Sequence, residues 1–304
     1  MFDLIVAGHL SIDSIFLPDR HVPFTCLGGS AAYASLAARR LDVSVSIISK
    51  VGEDFPKAYL WLLQKEGIDL SGIVNTKAAL TTHFELKYDS RLSERNLHLK
   101  CRAPSITLGD LQKFALADAV HIAPIANEID YEVVENLKRR CEILSLDPQG
   151  LVRIFDLDGN MIYKELQDKR VLELTNIYKS SLKEIEAVTG FSDLKSAIKV
   201  VHDFGVETVI VTLGVKGAVL SVEGAIYNIP SYPPKKFVDP TGAGDVFIGS
   251  FIAEYLRDKE ILWCACVGSA AASLVVEAAG PLSLGDKTEI FRRARWLHEK
   301  EIKG

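Results

Sequence analysis

Residues 239–247 combine an expected anion-binding turn with a carboxylate. They read Asp-Pro-Thr-Gly-Ala-Gly-Asp-Val-Phe, and an apolar stretch with helical spacing follows them. A helix that begins in this run would aim backbone amides and the positive end of its dipole at an anion. We expect the anion hole to consist of Thr241, Gly242, Ala243 and Gly244. Asp245 would fall in the first helical turn, where its carboxylate can accept a proton from a hydroxyl. The run therefore predicts phosphoryl transfer to a hydroxyl group.

A simpler interpretation makes this run a glycine-containing turn that starts a helix, with Asp245 as an ordinary first-turn acid. A lone Gly-x-Gly would favour that interpretation, but the whole run is much more specific. It resembles the C-terminal signature of the PfkB/ribokinase carbohydrate kinase family, and further matches are spread over nearly the whole chain. The resemblance implies one ribokinase-like α/β kinase domain over residues 1–304. It also implies ATP and Mg²⁺ as cofactors, and a sugar, polyol or nucleoside as the small-molecule partner.

The N-terminal motifs fit an acceptor site. Asp13 follows the first predicted strand, where a carboxylate either accepts hydrogen bonds from two neighbouring substrate hydroxyls or serves as a turn residue. Gly28 and Gly29 open a predicted helix and permit close approach of the backbone to a ligand. The resemblance places Asp13 and this glycine pair at the substrate. Tyr33 stands where many family members carry Asn, so its ring either stacks on a base, sugar or cyclitol or packs against the next helix.

A second group of motifs points to the phosphoryl donor. The segment from Thr212 to Gly217 follows an apolar strand and has the form Thr-x-Gly-x-x-Gly, which by itself predicts only a turn. In the family this segment lines the nucleotide pocket, so the resemblance assigns Thr212, Gly214 and Gly217 to ATP. Glu184 aligns with the acid of the family's Asn-x-x-Glu motif, which holds Mg²⁺ through water. Ser181 stands in place of the Asn of that motif.

Short β-branched runs alternate with helical segments along the chain. The predicted core strands are Leu4–Ala7, Val43–Ile48, Ala119–Ala123, Ile143–Leu146, Thr208–Thr212 and Ala218–Val222. The predicted helices are Ala31–Leu41, Lys57–Glu66, Tyr131–Arg140, Leu194–Phe204 and Ser269–Ala279. This order predicts an α/β fold with a mostly parallel central sheet and helices on both faces. Ligands are expected beyond the carboxyl ends of the strands.

Two stretches interrupt this alternation and predict a lid. Phe84–Tyr88 and Leu97–Cys101 alternate apolar and polar residues, as half-buried strands do. We expect a small antiparallel β lid built from about 14–27 and 80–102, although a plain edge hairpin is the alternative. The resemblance implies that the lid closes on the substrate and forms a homodimer interface. The apolar side chains expected to face a second copy are Phe84, Leu86, Tyr88, Leu97 and Leu99.

A polar cluster follows the predicted strand that ends at Leu146. Residues 147–150 lie at the edge of the sheet where ligands should bind, and Arg153 lies just beyond them. Arg153 either pairs with a phosphate or is the outward residue of a strand. The run Asp156–Asn160 superficially resembles a calcium loop but lacks its distal acidic ligand. Because Asp-Gly lies there between apolar runs, we predict a hairpin turn.

Charge and hydrophobicity limit the class of protein. A net charge of −5 argues against a broad surface for nucleic acids or anionic membranes. No apolar run reaches the length of a membrane span, and the first residues lack the basic region of a signal peptide. The five cysteines include no Cys-x-x-Cys pair, so no zinc site is indicated. We therefore expect a cytoplasmic protein with neither nucleic acid nor membrane as partner.

Three functions compete at this point. The first is ATP-dependent transfer of the γ-phosphoryl group to a hydroxyl of a sugar or polyol, and the second is a nucleoside kinase on the same fold. The third is a ligand-binding protein that keeps the fold without turnover. Asp245 and both glycines of its motif argue against the third. The first two stay open, because substrate choice lies in the lid and at positions such as Tyr33.

Overall fold

The computed structural model of the protein describes residues 1–18, 21–89, 95–111, 116–281 and 284–301. Its strands are β1 (Phe2–Ala7), β2 (Ser11–Phe16), β3 (Phe24–Gly28), β4 (Val45–Gly52), β5 (Asp69–Thr76), β6 (Thr82–Tyr88), β7 (Arg95–Cys101), β8 (Ala117–Ile122), β9 (Cys141–Leu146), β10 (Arg153–Phe155), β11 (Met161–Tyr163), β12 (Ile177–Ser181), β13 (Thr208–Thr212), β14 (Ala218–Val222) and β15 (Ala225–Ile229). Nine of them form the central sheet, in the order β15-β14-β13-β12-β9-β8-β1-β4-β5. All neighbours are parallel except for β14, which is antiparallel to both strands beside it. The predicted mostly parallel sheet is confirmed.

The helices cover both faces of this sheet. They are α1 (Ser30–Arg40), α2 (Lys57–Lys65), α3 (Tyr131–Lys138), α4 (Gln149–Val152), α5 (Arg170–Glu173), α6 (Leu182–Thr189), α7 (Leu194–Asp203), α8 (Ala243–Tyr255), α9 (Ile261–Val275) and α10 (Lys287–Glu301). A hydrophobic core lies on each face of the sheet, and successive side chains of β1 point alternately into one core and the other. Leu4 and Val6 pack with α1, α8 and α9, whereas Ile5 and Ala7 pack with α3, α6 and α7. None of the helices in the described part of the chain is both long and apolar enough to span a membrane.

The small second sheet is the expected lid, in the order β3-β2-β6-β7. Its two outer pairings are antiparallel, but β2 and β6 run parallel in the middle. Each of these two strands follows a strand of the parallel central sheet, β1 or β5, so both leave it in the same direction. Of the predicted lid ranges, residues 19–20 and 90–94 lie outside the described residues. A separate hairpin, β10-β11, confirms the predicted turn at Asp156–Asn160.

Most predicted elements agree with the structure to within a few residues, but α9 does not. It begins at Ile261 instead of the predicted Ser269. Its first two turns are apolar on nearly every side because α8 and α10 both pack against it, so they show no amphipathic period. Strand β12 was not predicted, because Lys179 and two serines interrupt its apolar pattern. These side chains are nevertheless mostly buried, and they lie at the site.

Candidate active site

One cavity of about 820 Å³ lies beyond the carboxyl ends of the central strands. That volume is within the range of small-molecule sites in proteins. The predicted site residues that line it are Asp13, Gly29, Tyr33, Glu184, Thr212, Gly214, Gly217, Thr241, Gly242, Ala243, Gly244 and Asp245. Gly28 is the one predicted site residue that is not part of this lining; it packs directly against the carboxylate of Asp13. The structure thus brings together residues that are more than 200 positions apart in the chain.

The glycine turn before α8 has the geometry expected of an anion hole. Gly242 is the N-cap of α8 with φ of 76°, a left-handed conformation that favours glycine. A side chain there would also collide with the ring of Tyr33. Ala243 donates its amide to the carbonyl oxygen of Pro240 at 3.3 Å, which tightens the turn. The amides of Gly244 and Asp245 follow in the first helical turn, where the helix itself offers them no acceptor. Asp245 lies in that same turn, at the cavity surface.

Thr241 connects the turn to two other parts of the molecule. Its hydroxyl donates to Asp239 Oδ1 at 2.6 Å, and its amide donates to the same oxygen at 2.9 Å. The phenol of Tyr88, on the lid strand β6, lies 2.7 Å from Thr241 Oγ1. Since the Thr241 proton goes to Asp239, Tyr88 is the donor in this contact. The Thr241 hydroxyl therefore holds the turn and the lid together in this structure, where the sequence suggested a donor to phosphate.

Lys179 is a site residue that sequence reasoning missed. Its ammonium lies beneath the anion hole, 2.6 Å from the position that a side-chain carbon on Gly244 would occupy. It donates to Asp147 Oδ2 at 2.6 Å, and both side chains are almost completely buried. Burial lowers the pKa of Lys179, but the nearby carboxylates of Asp147, Asp245 and Glu184 raise it above its usual value. Lys179 therefore supplies a permanent positive charge next to Asp245. The available signal was a lysine inside a short apolar segment ahead of Glu184.

Glu184 is placed at the cavity, but its carboxylate is already engaged. One oxygen accepts from Arg153 and the other accepts from the backbone amide of Ser181 at 2.6 Å. Burial opposes its ionisation, but the charges of Arg153 and Lys179 and the Ser181 hydrogen bonds lower the pKa of Glu184 to about 2. A guanidinium in contact with the carboxylate disfavours a second cation at the same place. Both carboxylate oxygens of Glu184 are thus engaged, which does not fit a direct ligand of magnesium, and the expected contact through water stays a prediction.

The acceptor end of the cavity is polar on one side and apolar on the other. Asp13, on β2, is nearly buried and accepts a hydrogen bond from the Ser11 hydroxyl at 2.6 Å. Gln149 and Ser30 also line the cavity, and the side-chain amide of Gln149 donates a hydrogen bond to the Ser30 hydroxyl. The apolar side is the inner face of the lid, made of Phe84, Leu86 and Leu97 together with Ile125. Tyr33 is only 1% exposed, and its ring supports Gly242. The ring thus packs against the turn that begins the neighbouring helix, and its predicted contact with the acceptor stays a prediction.

The apolar lid face also corrects one expectation from the sequence. Phe84, Leu86 and Leu97 are buried within the chain, in a cluster with Ile125 and the partly buried Phe155 of the hairpin. They do not form an uncovered surface that needs a second copy. The alternating pattern of β6 and β7 shows that one face is buried but does not show what covers it. In this structure, that face covers the cavity.

The donor end of the cavity contains the predicted nucleotide segment. After β13, the amide of Leu213 donates to the carbonyl oxygen of Gly217 at 2.7 Å, which closes the turn. Gly214 and Gly217 have φ of 61° and 93°, so the turn depends on glycine. The Thr212 hydroxyl donates to the carbonyl oxygen of Ser180 at 3.2 Å and so ties β13 to β12. Tyr232 and Phe237 add aromatic walls at this end.

Comparison with known proteins agrees with this arrangement. Residues 3–287 match the model of the pfkB family carbohydrate kinases. The cytidine kinase of Thermococcus kodakarensis is 31% identical over 294 residues, which is 93% of this chain and 99% of that protein.

Two solved structures have the same fold. A pyrophosphate-dependent kinase of the ribokinase family, complexed with a pyrophosphate analog and myo-inositol, aligns with a TM-score of 0.81 at 22% identity, covering 95% of this chain and 99% of the other. The ribokinase of Arabidopsis thaliana, complexed with ribose and ATP, aligns with a TM-score of 0.77 at 22% identity, covering 97% and 99% of the two chains. The family match spans almost the whole sequence, and the fold and the position of the glycine turn agree with it. The chain therefore belongs to the PfkB family of carbohydrate kinases and is a phosphotransferase that acts on hydroxyl groups.

Proposed function

We propose that this protein transfers the γ-phosphoryl group of ATP to a hydroxyl of a nucleoside. One observation carries the proposal: Asp245, at the start of α8, shares a cavity with Asp13, and the apolar inner face of the lid lines the same cavity. Asp245 supplies a base beside the anion hole, and Asp13 supplies a carboxylate for vicinal hydroxyls. The inner face of the lid offers an apolar surface for a nucleobase, which a free sugar lacks.

In the proposed mechanism, Asp245 accepts the proton of the attacking hydroxyl. The first-turn amides of α8 and the ammonium of Lys179 stabilise the negative charge on the phosphoryl oxygens in the transition state. Asp13 orients the acceptor by accepting hydrogen bonds from two neighbouring hydroxyls. Closure of the lid excludes water and so limits wasteful hydrolysis of ATP.

The choice of a nucleoside over a free sugar or polyol has two supports. The lid side chains Phe84, Leu86 and Leu97 present an apolar wall to the cavity, where a free sugar would leave much of that wall without a partner. The relative that is 31% identical over nearly its whole length is a cytidine kinase. A sugar or polyol such as ribose or an inositol is the competing acceptor, and a protein that binds these ligands without turnover is the third candidate.

ATP is proposed as the donor because the turn that contains Thr212, Gly214 and Gly217 extends the cavity past the anion hole. Tyr232 and Phe237 line this extension. It gives the donor end more space than pyrophosphate would need. Since Glu184 is engaged by Arg153, we expect Mg²⁺ to enter with the nucleotide as MgATP, held mainly by phosphate oxygens and water. Removal of Mg²⁺ by EDTA should then abolish turnover.

Three further predictions remain to be measured. We propose a single kinase domain over residues 1–304, with the lid as part of it. A homodimer through the lid stays a prediction, although its apolar face is used within one chain, and sedimentation at micromolar concentration would decide it. A cytoplasmic location also stays a prediction, which fractionation of cells would test.

The deciding experiment measures phosphoryl transfer from ATP and from pyrophosphate to cytidine, ribose and myo-inositol. We expect ATP with cytidine to give the highest kcat/KM, at least about tenfold above ribose. Preference for ribose or myo-inositol would overturn the nucleoside, and preference for pyrophosphate would overturn ATP. Binding of ATP and cytidine without transfer to any acceptor would favour the non-catalytic candidate.

A further inference from the structure

The hairpin β10-β11 lies between the lid and the phosphate end of the cavity. At its tip, the carbonyl oxygen of Gly159 accepts from the amide of Leu99, on lid strand β7, at 2.8 Å. A bridge between His98 and Asn160 adds a second backbone connection to the same strand. At its base, the hairpin carries Arg153 into the cavity lining. One small element therefore touches both the lid and the centre of the site.

Arg153 lines the same cavity as the glycine turn before α8. Its guanidinium pairs with Glu184 through Nη2, and the lining of the same cavity includes Lys179, Gly244 and Asp245. Its Nε is buried and has no hydrogen-bond acceptor among the described residues. A buried donor without an acceptor is unfavourable, so this group is suited to a ligand that brings its own oxygens. Phosphate is such a ligand, because the planar guanidinium can donate to two of its oxygens at once.

We propose that Arg153 binds the terminal phosphates of the donor, and that the hairpin links this contact to closure of the lid over the acceptor. The inference rests on the proposed kinase function. Glu184 acts here as the positioning residue, since its ionised carboxylate holds the guanidinium at the cavity until phosphate arrives. Arg153 thus places a second protein charge opposite Lys179. Acceptor binding orders the lid, the lid fixes the hairpin, and the donor is held more tightly.

The first test measures ATP binding by calorimetry at fixed Mg²⁺ and without acceptor. Arg153→Gln should weaken ATP binding by about 10- to 100-fold, as expected for the loss of charge-assisted hydrogen bonds, and Arg153→Lys should recover part of it. Arg170→Gln is the matched control, because Arg170 pairs with Asp168 at the exposed surface. It should bind ATP as the wild type does.

A double variant separates donor binding from a purely structural role. Arg153→Gln leaves Glu184 buried without its cationic partner, whereas Arg153→Gln with Glu184→Gln removes both charges. If Arg153 contacts the donor, the double variant stays as weak as Arg153→Gln, and Glu184→Gln alone loses less ATP binding than Arg153→Gln, because the guanidinium is still present but is no longer held in place. Recovery of ATP binding in the double variant would overturn the proposal. So would a Glu184→Gln variant as weak as Arg153→Gln, since that result would assign the effect to the carboxylate.

The second test addresses the link to the lid. A side chain at Gly159 would collide with the carbonyl oxygen of Leu99, and φ there is 82°. Gly159→Val should therefore separate the hairpin tip from β7 without touching the cavity. In wild type, saturating cytidine should tighten the binding of a non-transferable ATP analogue several-fold, and in Gly159→Val this increase should vanish while binding of the analogue without acceptor is unchanged. An unchanged increase in the variant would refute the link. Failure of cytidine as a substrate alone would leave the result for Arg153 intact, because that measurement needs no acceptor.

Discussion

The anion-binding turn and the lid wall face each other across the cavity, but different amounts of the chain build them. Residues 239–245 contain the turn, the proposed base Asp245 and the carboxylate of Asp239 that fixes Thr241. The wall is assembled from the strands β6 and β7, from Ile125 after β8 and from Phe155 of the hairpin. A contiguous segment keeps its local geometry in different surroundings, whereas an assembled wall changes whenever one of its parts repacks. The chemistry and the acceptor preference should therefore respond to different mutations.

The largest effect is expected at the turn. Asp245→Asn preserves size but removes the proton acceptor, so kcat should fall by about 10²- to 10⁴-fold while ATP still binds. Single-turnover rates and ATP affinity would be measured together. Turnover within a few-fold of wild type would remove Asp245 from its role as base.

Substitution of Lys179 tests whether catalysis at the turn depends on a charge from outside residues 239–245. Lys179→Met should lower kcat by about 10²-fold, since the phosphoryl oxygens lose a neighbouring cation. Because Asp147 would be left buried without its partner, the variant Lys179→Met with Asp147→Asn serves as the control for folding. If that double variant regains wild-type kcat, Lys179 acts only by neutralising Asp147.

Gly244→Ala should give a smaller loss of kcat, because the new methyl group would press on the ammonium of Lys179.

The lid wall should control selectivity with little effect on the chemistry. Leu86→Ala and Leu97→Ala each remove apolar surface that faces the acceptor, so the kcat/KM ratio of cytidine to ribose should fall by about 5- to 30-fold. Leu63→Ala is a suitable control, because Leu63 is fully buried on α2 and is not part of the cavity lining. It should lower the thermal stability and leave the ratio unchanged. An equal loss of kcat for both acceptors in the lid variants would mean that the wall acts on folding.

The smallest effect concerns the contact that joins the two regions. Tyr88→Phe removes the hydrogen bond from the lid to Thr241, which is worth about 1 kcal/mol, so kcat/KM for the acceptor should fall by about 3- to 10-fold. Tyr178→Phe is the comparison, since Tyr178 is fully buried and is not part of the cavity lining. Equal kinetics for the two variants would show that the lid closes without this contact.

The difference between the two regions also explains what the sequence could predict. The run at 239–245 is local, so its turn, its helix and the position of Asp245 followed from residue types and spacing. Asp13 and the glycine segment after β13 were found because each follows a strand whose apolar pattern is clear. Lys179 and the pairing of Arg153 with Glu184 were not found, because each depends on contacts between strands far apart in the sequence. The alternation in the lid strands predicted a buried face, but it could not show that other parts of the same chain cover that face.

The helices α1 and α8 have a further consequence for the product. One begins beside Asp13 and the other begins at the anion hole, and they meet where Gly249 packs directly against the carbonyl oxygen of Ala34. Gly249 lies about two helical turns from Gly242. This contact leaves no room for a side chain, so it sets how closely the two helices approach. We therefore expect the packing of α1 against α8 to limit which hydroxyl of a bound acceptor can reach the phosphoryl group.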